Sequence, residues 1–452
     1  MVSTLLTHIG TLATQNEALG EISDAAVYIT DNVVQWVGKS EDCAQYSPAD
    51  VEINCEGLII LPGLINTHNH MYGSLTRCLG QEQGLFDWIG ACNKVKQHFT
   101  SHDAHVAAKL TMAELILSGC TTSVDHMFHF PNDVRIDDTI RAAKDIGIRL
   151  HAARGTQSVA NPVTPACLLE DEESALRDMR RVIEEHHDAS KFAMVRVALA
   201  PTILFLVSPG MWEKTAQLAA EYPAVGLHCH FCETSADAQR IQASHGVSPH
   251  DFLSQRGWNT PRVWCAHCCK VDEAAIAHFG KHQMGVATCP SSSCRLGNGI
   301  LPLRSLLDKG VNVGIGTDGP ASNDACNLLL ELRLATYLQR VQGKPDALTA
   351  REALRMGTAV GAAVLNRTDI GQIAPGFAAD IVGWRTAVPA FCGVEDEVAA
   401  LVFCSPGLGS VDLSIINGKV IIKDGKFVHM DLQKLMAEHH QCAARLRALA
   451  VA

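Results

Sequence analysis

Hydrophobic and polar positions change rhythm twice along the chain. Up to about residue 60 they alternate in short segments such as Ala26-Val27-Tyr28-Ile29 and Val33-Val34-Gln35-Trp36-Val37. Thr30-Asp31-Asn32 and Gly38 separate these segments, a spacing that predicts β-strands and turns. The same alternation returns late, in Ala379-Asp380-Ile381-Val382, Val411 to Ile416 and Val420-Ile421-Ile422, with Asn417-Gly418 and Asp424-Gly425 as hairpin turns. Residues 433–450 carry a helical period. Between the two β-like ends, compact apolar runs alternate with longer helical stretches. The candidate strands are Gly63–Thr67, Thr121–Asp125, Arg149–Ala153, Met194–Ala200, Val225–His230, Val263–Ala266, Gly285–Thr288 and Val311–Gly316. Repeated strand–helix units of this kind predict an α/β fold, a (β/α)8 TIM-like barrel over 61–369. Chain termini often lie close in space, so residues 1–60 and 370–452 are expected to pair into a small composite β-sandwich domain.

Composition narrows the function. The chain has 452 residues, 47% apolar and 19% charged, which excludes a disordered or coiled-coil protein. Its net charge of −11 argues against nucleic acid or an anionic membrane surface as partner. No apolar run approaches the roughly 18 residues of a bilayer span. Met1 to Gly10 lacks the basic start and small-residue cleavage site of a secretory signal. The 17 cysteines form no regular framework, as expected in a reducing compartment, so the expected location is cytoplasmic. The 21 histidines change the picture, through where they fall.

His68-Asn69-His70 closes the first barrel strand. Residues i and i+2 of a strand share a face, so both imidazoles point into the barrel at its C-terminal rim, where barrel enzymes do their chemistry. His228-Cys229-His230 with Glu233 ends the fifth strand, His267 the sixth and Asp318 the eighth. Imidazole and carboxylate converging on one rim suit Zn²⁺ or Fe²⁺.

These residues resemble the motifs of the amidohydrolase superfamily, and the likeness runs over nearly the whole chain. The branch that hydrolytically deaminates heterocycles is nearest. The segments Asn66 to Tyr72, Ser74-Leu75-Thr76-Arg77, Ser118 to Thr122, Asp125-His126, Arg154-Gly155 and Ala321-Ser322-Asn323-Asp324 are most similar to the 8-oxoguanine deaminases, with the hydroxyatrazine aminohydrolases next. The resemblance implies that His68, His70, His230 and Asp318 hold one divalent metal, zinc first and iron second. It implies that Glu233, His267 and Asp318 are catalytic: Asp318 takes a proton from the attacking water, Glu233 protonates the ring nitrogen, and His267 donates to the attacking oxygen. The expected reaction is release of ammonia from an oxo-substituted aminopurine; a hydroxy-s-triazine or pterin is the alternative, and a non-catalytic scaffold a remote one. A small-molecule substrate and a homo-oligomer are expected. Strand four, Met194 to Thr202, carries no lysine or glutamate to bridge a second ion, hence one metal per chain.

Other signals weigh less. Gly314, Gly316 and Gly319 spell G-x-G-x-x-G, but the run is late, is followed by Pro320 and encloses Asp318, so it reads as a strand-end turn rather than a nucleotide loop. Cys229 and Cys232 read as structural thiols, because Cys229 should face away from His228 and His230. His186-His187 and His439-His440 read as solvated surface residues. For the substrate, Arg154, Trp88 and Asn323 are candidates, although a structural Arg and a core Trp fit the first two equally well. Ser293 stands where relatives usually have Asn, which puts the substrate rather than the chemistry in doubt.

Overall fold

The computed structural model describes residues 1–451 and contains two sheets. The first begins with β1 (Ser3–Ala13), β2 (Glu21–Thr30), β3 (Val33–Lys39), β4 (Val51–Asn54) and β5 (Leu58–Pro62). The second is the barrel: β6 (Leu64–Asn66), β7 (Cys120–Met127), β8 (Arg149–Thr156), β9 (Val195–Pro201), β10 (Gly226–Phe231), β11 (Val263–His267), β12 (Gly285–Thr288) and β13 (Val313–Ile315). The chain then returns to the first sheet with β14 (Ile381–Arg385), β15 (Leu413–Ile416), β16 (Lys419–Lys423) and β17 (Lys426–Phe427). Every barrel strand falls where the hydrophobic pattern places it. They pair in sequence order, all in parallel. Thr67 closes the ring on β13, its backbone N–H donating to the Ile315 carbonyl at 2.9 Å.

The barrel interior is filled by small side chains, Ala153, Ala198, Ala200, Ala266 and Ala287, around the buried Trp264. That economy of volume leaves room for several imidazoles at one end. The three glycines of the G-x-G-x-x-G run belong to the same packing. A Cβ on Gly314 would lie 2.7 Å from Thr67, and Cβ atoms on Gly316 and Gly319 would each lie 3.0 Å from the Cβ of His68 and His70 respectively. The glycines let the last strand press against the first, which carries the histidines.

The terminal segments form one nine-stranded sheet in the order β17-β16-β15-β14-β5-β1-β2-β3, with β4 also on β1. Leu6, Ile9, Val27 and Val34 from its early half share a buried cluster with Ile381, Leu413 and Ile415 from its late half. Two boundaries differ from expectation. The sheet continues to Pro62, and the crossing into the barrel is made at Gly63, where a Cβ would meet Thr121 Oγ1 at 2.0 Å. The terminal helix Leu432–Val451 packs on the barrel helix Ser101–Leu117 rather than on the composite sheet. Its inward stripe is Leu435, His439, Cys442 and Leu446, so His439 is buried and pairs with Ser74 Oγ at 3.0 Å instead of facing water. His440, next in sequence, is exposed. Residue 452 lies outside the described residues. No described helix is long and apolar enough to cross a membrane.

Arg149 at the start of β8 links the two units. Its guanidinium donates to both Asp380 carboxylate oxygens at 3.0–3.2 Å and to the Phe192 and Ala193 carbonyls at 2.6 and 2.8 Å, all out of water.

Candidate metal centre and active site

Alternation along β10 turns Leu227, Cys229 and Phe231 toward the outer core and His228 and His230 inward. His68 and His70 follow β6 in the same way. The ligating atoms of His68, His70, His126 and His230 lie within 4.8 Å of one another, as do those of His68, His267 and Asp318. His70 Nε2 is 3.0 Å from His230 Nε2. Asp318 Oδ1 is 3.4 Å from His68 Nε2 and 3.5 Å from His70 Nε2. Sequence-predicted ligands and acids therefore meet on one rim.

The Nδ1 atoms of His68, His70 and His230 are committed elsewhere. His70 Nδ1 is bonded to the His126 carbonyl, and His230 Nδ1 to the Thr202 carbonyl at 2.8 Å. His68 Nδ1 lies 2.8 Å from His228 Nε2, and His228 Nδ1 lies 2.9 Å from the Trp264 carbonyl. A carbonyl only accepts, so His70, His228 and His230 carry their protons on Nδ1. His228 Nε2 is then an acceptor, which puts the His68 proton on Nδ1 as well. The three Nε2 atoms are left as bare lone pairs, two of them 3.0 Å apart, and His68 Nε2 is buried with no hydrogen-bond partner. Lone pairs so arranged repel unless a cation sits among them. Burial, reinforced by the neighbouring imidazoles, holds His126, His228 and His230 well below the ordinary histidine range, in the neutral state that ligation needs. The donor set fits a divalent metal, and the carbonyls and His228 orient it from behind.

Asp318 is shaped for one protonation state. Ser292 Oγ and Ser322 Oγ donate to its Oδ2 at 2.6 and 2.9 Å, and the Gly319 N–H donates to Oδ1 at 2.7 Å. Burial alone raises its pKa, but His68, His267 and His70 outweigh burial and hold the carboxyl well below its ordinary range. Glu233 has the opposite balance. Burial, with Asp318 and Asp237 adding to it against His267 and Asn298, raises its pKa to about 7. Asn298 Nδ2 donates to its Oε1 at 2.7 Å, and His267 Nε2 stands 3.8 Å from its Oε2. Two carboxyls pushed in opposite directions are the usual signature of divided base and acid work. His267, Cys268, Cys232 and Asp318 all have left-handed backbones, at φ 71°, 53°, 45° and 57°. Such strained non-glycine residues cluster where a fold over-determines a functional geometry.

A cavity of about 370 Å³ opens over His70, Glu233, His267 and Asp318. The helix Leu85–Lys96 covers it with Leu85, Phe86, Trp88 and Ile89, so Trp88 is placed to meet a planar ring. Arg154 is placed elsewhere and does not line the cavity. Its guanidinium is spent on Glu170 at 2.7 and 2.9 Å and on Asp178 at 2.8 Å, stacked on Phe130. Asn323 lies behind the Asp318 loop, its Nδ2 donating to the Thr317 carbonyl at 2.6 Å and to Glu331 at 3.0 Å. Cys229 lies 3.7 Å from Cys265, thiol to thiol in the outer core, and Cys232, Cys268 and Cys269 are buried with their pKa values raised by burial, hence inert.

The sequence reading had not assigned four features: His228 behind His68, Asn298 on Glu233, the Ser292–Ser322 pair on Asp318, and Lys96 with His129 and Gln157 in the cavity wall. His228 was legible as the first of the two inward residues of the His228-Cys229-His230 run. Lys96 was legible as a charge at i+4 from Cys92 and i+8 from Trp88 on an otherwise apolar helical face. Asn298 had no local signal, because it reaches Glu233 from a different loop. Ser293 faces Cys269 Sγ at 3.3 Å.

Comparison with known proteins agrees with this geometry. The 8-oxoguanine deaminase of Pseudomonas aeruginosa is 34% identical over 421 residues, 92% of this chain and 93% of that protein. An isoxanthopterin deaminase from an unknown prokaryotic organism is 31% identical over 88% of each chain. A crystal structure of an atrazine chlorohydrolase from Arthrobacter aurescens TC1 complexed with zinc superposes with a TM-score of 0.91 at 32% identity, covering 97% of this chain and 100% of that one. The model of the amidohydrolase family matches residues 59–421, and this chain, a hydrolytic enzyme with a divalent-metal donor cluster at its barrel rim, belongs to that family.

Proposed function

We propose that the protein is a metal-dependent aminohydrolase that removes an exocyclic amine from an oxo-substituted aminopurine, of the kind its Pseudomonas aeruginosa relative takes, and releases ammonia. The observation that carries this reading is geometric: the Nε2 atoms of His68, His70 and His230 converge with the Asp318 carboxylate, and Glu233, raised to about 7 by burial, lines the same cavity as Asp318. His68, His70, His230 and Asp318 would hold one zinc ion, which would supply the chemistry of lowering a water's pKa to roughly 7. Asp318 takes the proton of the attacking water. Glu233 passes a proton to the ring nitrogen beside the amine-bearing carbon, and His267 donates to the incoming oxygen. A C–O bond forms, Asp318 passes the water's proton to the amine, the C–N bond breaks with loss of ammonia, and Glu233 recovers a proton from the new hydroxyl as it becomes an oxo group. Trp88 packs on the ring. Action in the cytoplasm and assembly as a homo-oligomer complete the reading.

A hydroxy-s-triazine or pterin is the second reading, supported by the triazine-acting structural relative and the isoxanthopterin deaminase. Amine release from zinc-loaded enzyme decides, measured as ammonia from 8-oxoguanine, guanine, isoxanthopterin and cytosine and as alkylamine from hydroxyatrazine. Fastest turnover of 8-oxoguanine is expected; release from none of them removes the deaminase reading.

A further inference from the structure

The cavity wall holds a cation without an anion. Lys96 is the last residue of the helix Leu85–Lys96, is 8% exposed, and places its ammonium 5.0 Å from the centre of the Tyr72 ring and 6.0 Å from that of Phe128. It makes no hydrogen bond or ion pair to any described residue, and Cys92 and Asp318 act on it through space alone. Buried lysines are normally paired, because desolvating an ammonium is costly, and aromatic faces repay only part of that cost.

Beside it stands an acceptor without a donor. Gln157 Nε2 donates to the Val159 carbonyl at 3.3 Å and to Thr164 Oγ1 at 3.1 Å, which fixes the amide with Oε1 toward His129. His129 Nε2, 3.1 Å from that oxygen, must carry the ring proton, so Nδ1 is a lone pair, and it is buried with no partner. Burial and the Lys96 charge keep the ring neutral, at about 3. The Tyr72 hydroxyl is likewise buried and unpartnered. Lys96, His129, Gln157 and Tyr72 all line the cavity that contains Glu233 and Asp318.

We infer that Lys96 and His129 form a specificity pocket for a lactam edge of the substrate: the ammonium donates to an oxo oxygen and His129 Nδ1 accepts from the adjoining ring N–H. The inference rests on the aminohydrolase reading and deepens it, since it requires an oxo group on the ring fused to the one that loses its amine, present in 8-oxoguanine and isoxanthopterin and absent from guanine and pterin. A ligand lacking that oxygen leaves a buried charge unpaired, and a site built for a polar group rejects such an analogue far more strongly than an apolar pocket does.

The test uses zinc-loaded wild type and the Lys96→Met and Lys96→Arg variants, with zinc content and melting temperature measured first. Two matched pairs are compared, 8-oxoguanine with guanine and isoxanthopterin with pterin, and the ratio of kcat/KM within each pair is read. The ratio is expected to fall by about 10- to 100-fold in Lys96→Met, and Lys96→Arg should recover part of it. Equal losses on both members of a pair, or no change, would overturn the inference. A separate arm measures equilibrium binding of urate and xanthine, the two purine products. Wild type should hold urate more tightly, and Lys96→Met should lose that preference. If no compound releases ammonia, the function fails while this arm still decides the pocket: equal binding of urate and xanthine, or binding of neither, overturns it.

Discussion

Replacing His228 by phenylalanine isolates what the imidazole behind the metal centre contributes. Phenylalanine keeps the stack on Trp264, where the His228 ring lies with centroids 4.6 Å apart and planes 20° from parallel. It removes an acceptor 2.8 Å from His68 Nδ1 and a donor 2.9 Å from the Trp264 carbonyl. Each buried group stranded in this way costs about 1–3 kcal/mol. His68 has an escape: its proton can move to Nε2 and face Asp318 Oδ1, 3.4 Å away. That relieves the metal-free protein but occupies the nitrogen the metal needs. The penalty therefore falls on the metal-bound state, about 10- to 100-fold in affinity, or about 1.4–2.7 kcal/mol. Zinc affinity is read by chelator competition, with thermal melts of metal-free and zinc-loaded protein alongside. His228→Phe should melt within a few degrees of wild type without zinc and show a smaller zinc-induced rise. Zinc affinity within threefold of wild type would refute the tautomer argument.

Further outcomes follow from the same geometry. Glu233→Gln should retain its zinc, checked by elemental analysis, yet lose at least about 100-fold in kcat; near-normal turnover would mean the proton shuttle lies elsewhere. Because the folded pKa of Glu233, about 7, exceeds its ordinary value, the folded protein binds the proton more tightly. Its contribution is most favourable below pH 4.5 and is lost as pH rises through 7, so metal-free Glu233→Gln should gain on wild type from pH 5 to 8, by up to about 3 kcal/mol. Denaturant melts at several pH values read this, and a gap that does not grow with pH would contradict it. Gly319→Ala sets a Cβ 3.0 Å from the Cβ of His70 and should cost about 1–3 kcal/mol and weaken zinc binding, with no nucleotide affinity to lose in either protein. Arg149→Met strands the buried Asp380 and should cost about 3–5 kcal/mol by denaturant melt, with Asp380→Asn added in the same background recovering part of it.

The barrel and its metal donors were legible because both obey local rules. Apolar runs of strand length marked β6 to β13, and two-residue periodicity turned His68, His70, His228 and His230 to one side. What escaped was decided by partners distant in sequence. Arg154 reads as a substrate anchor until Glu170 and Asp178 are seen to hold it, and Asn323 until its amide is found on Glu331. His439 reads as surface in a polar helix until that helix is docked on Ser74. Lys96 is the converse case, a charge in a mostly apolar face that a surface reading passes over and the cavity brings into use.

The strand that delivers His68 and His70 has a consequence for how the enzyme is made. It is fed directly by β5, which lies between β1 and β14, strands from opposite ends of the chain. On the ribosome β5 gains one neighbour at once and waits for the other until nearly the whole polypeptide has been synthesised. Pairings of such long sequence separation form slowly. The metal site is thus anchored late, and for most of its synthesis a nascent chain carries His68 and His70 just beyond a strand with an open edge. Metal capture should accordingly belong to the finished protein, and a chain truncated before β14 should bind zinc poorly even though it contains every ligand.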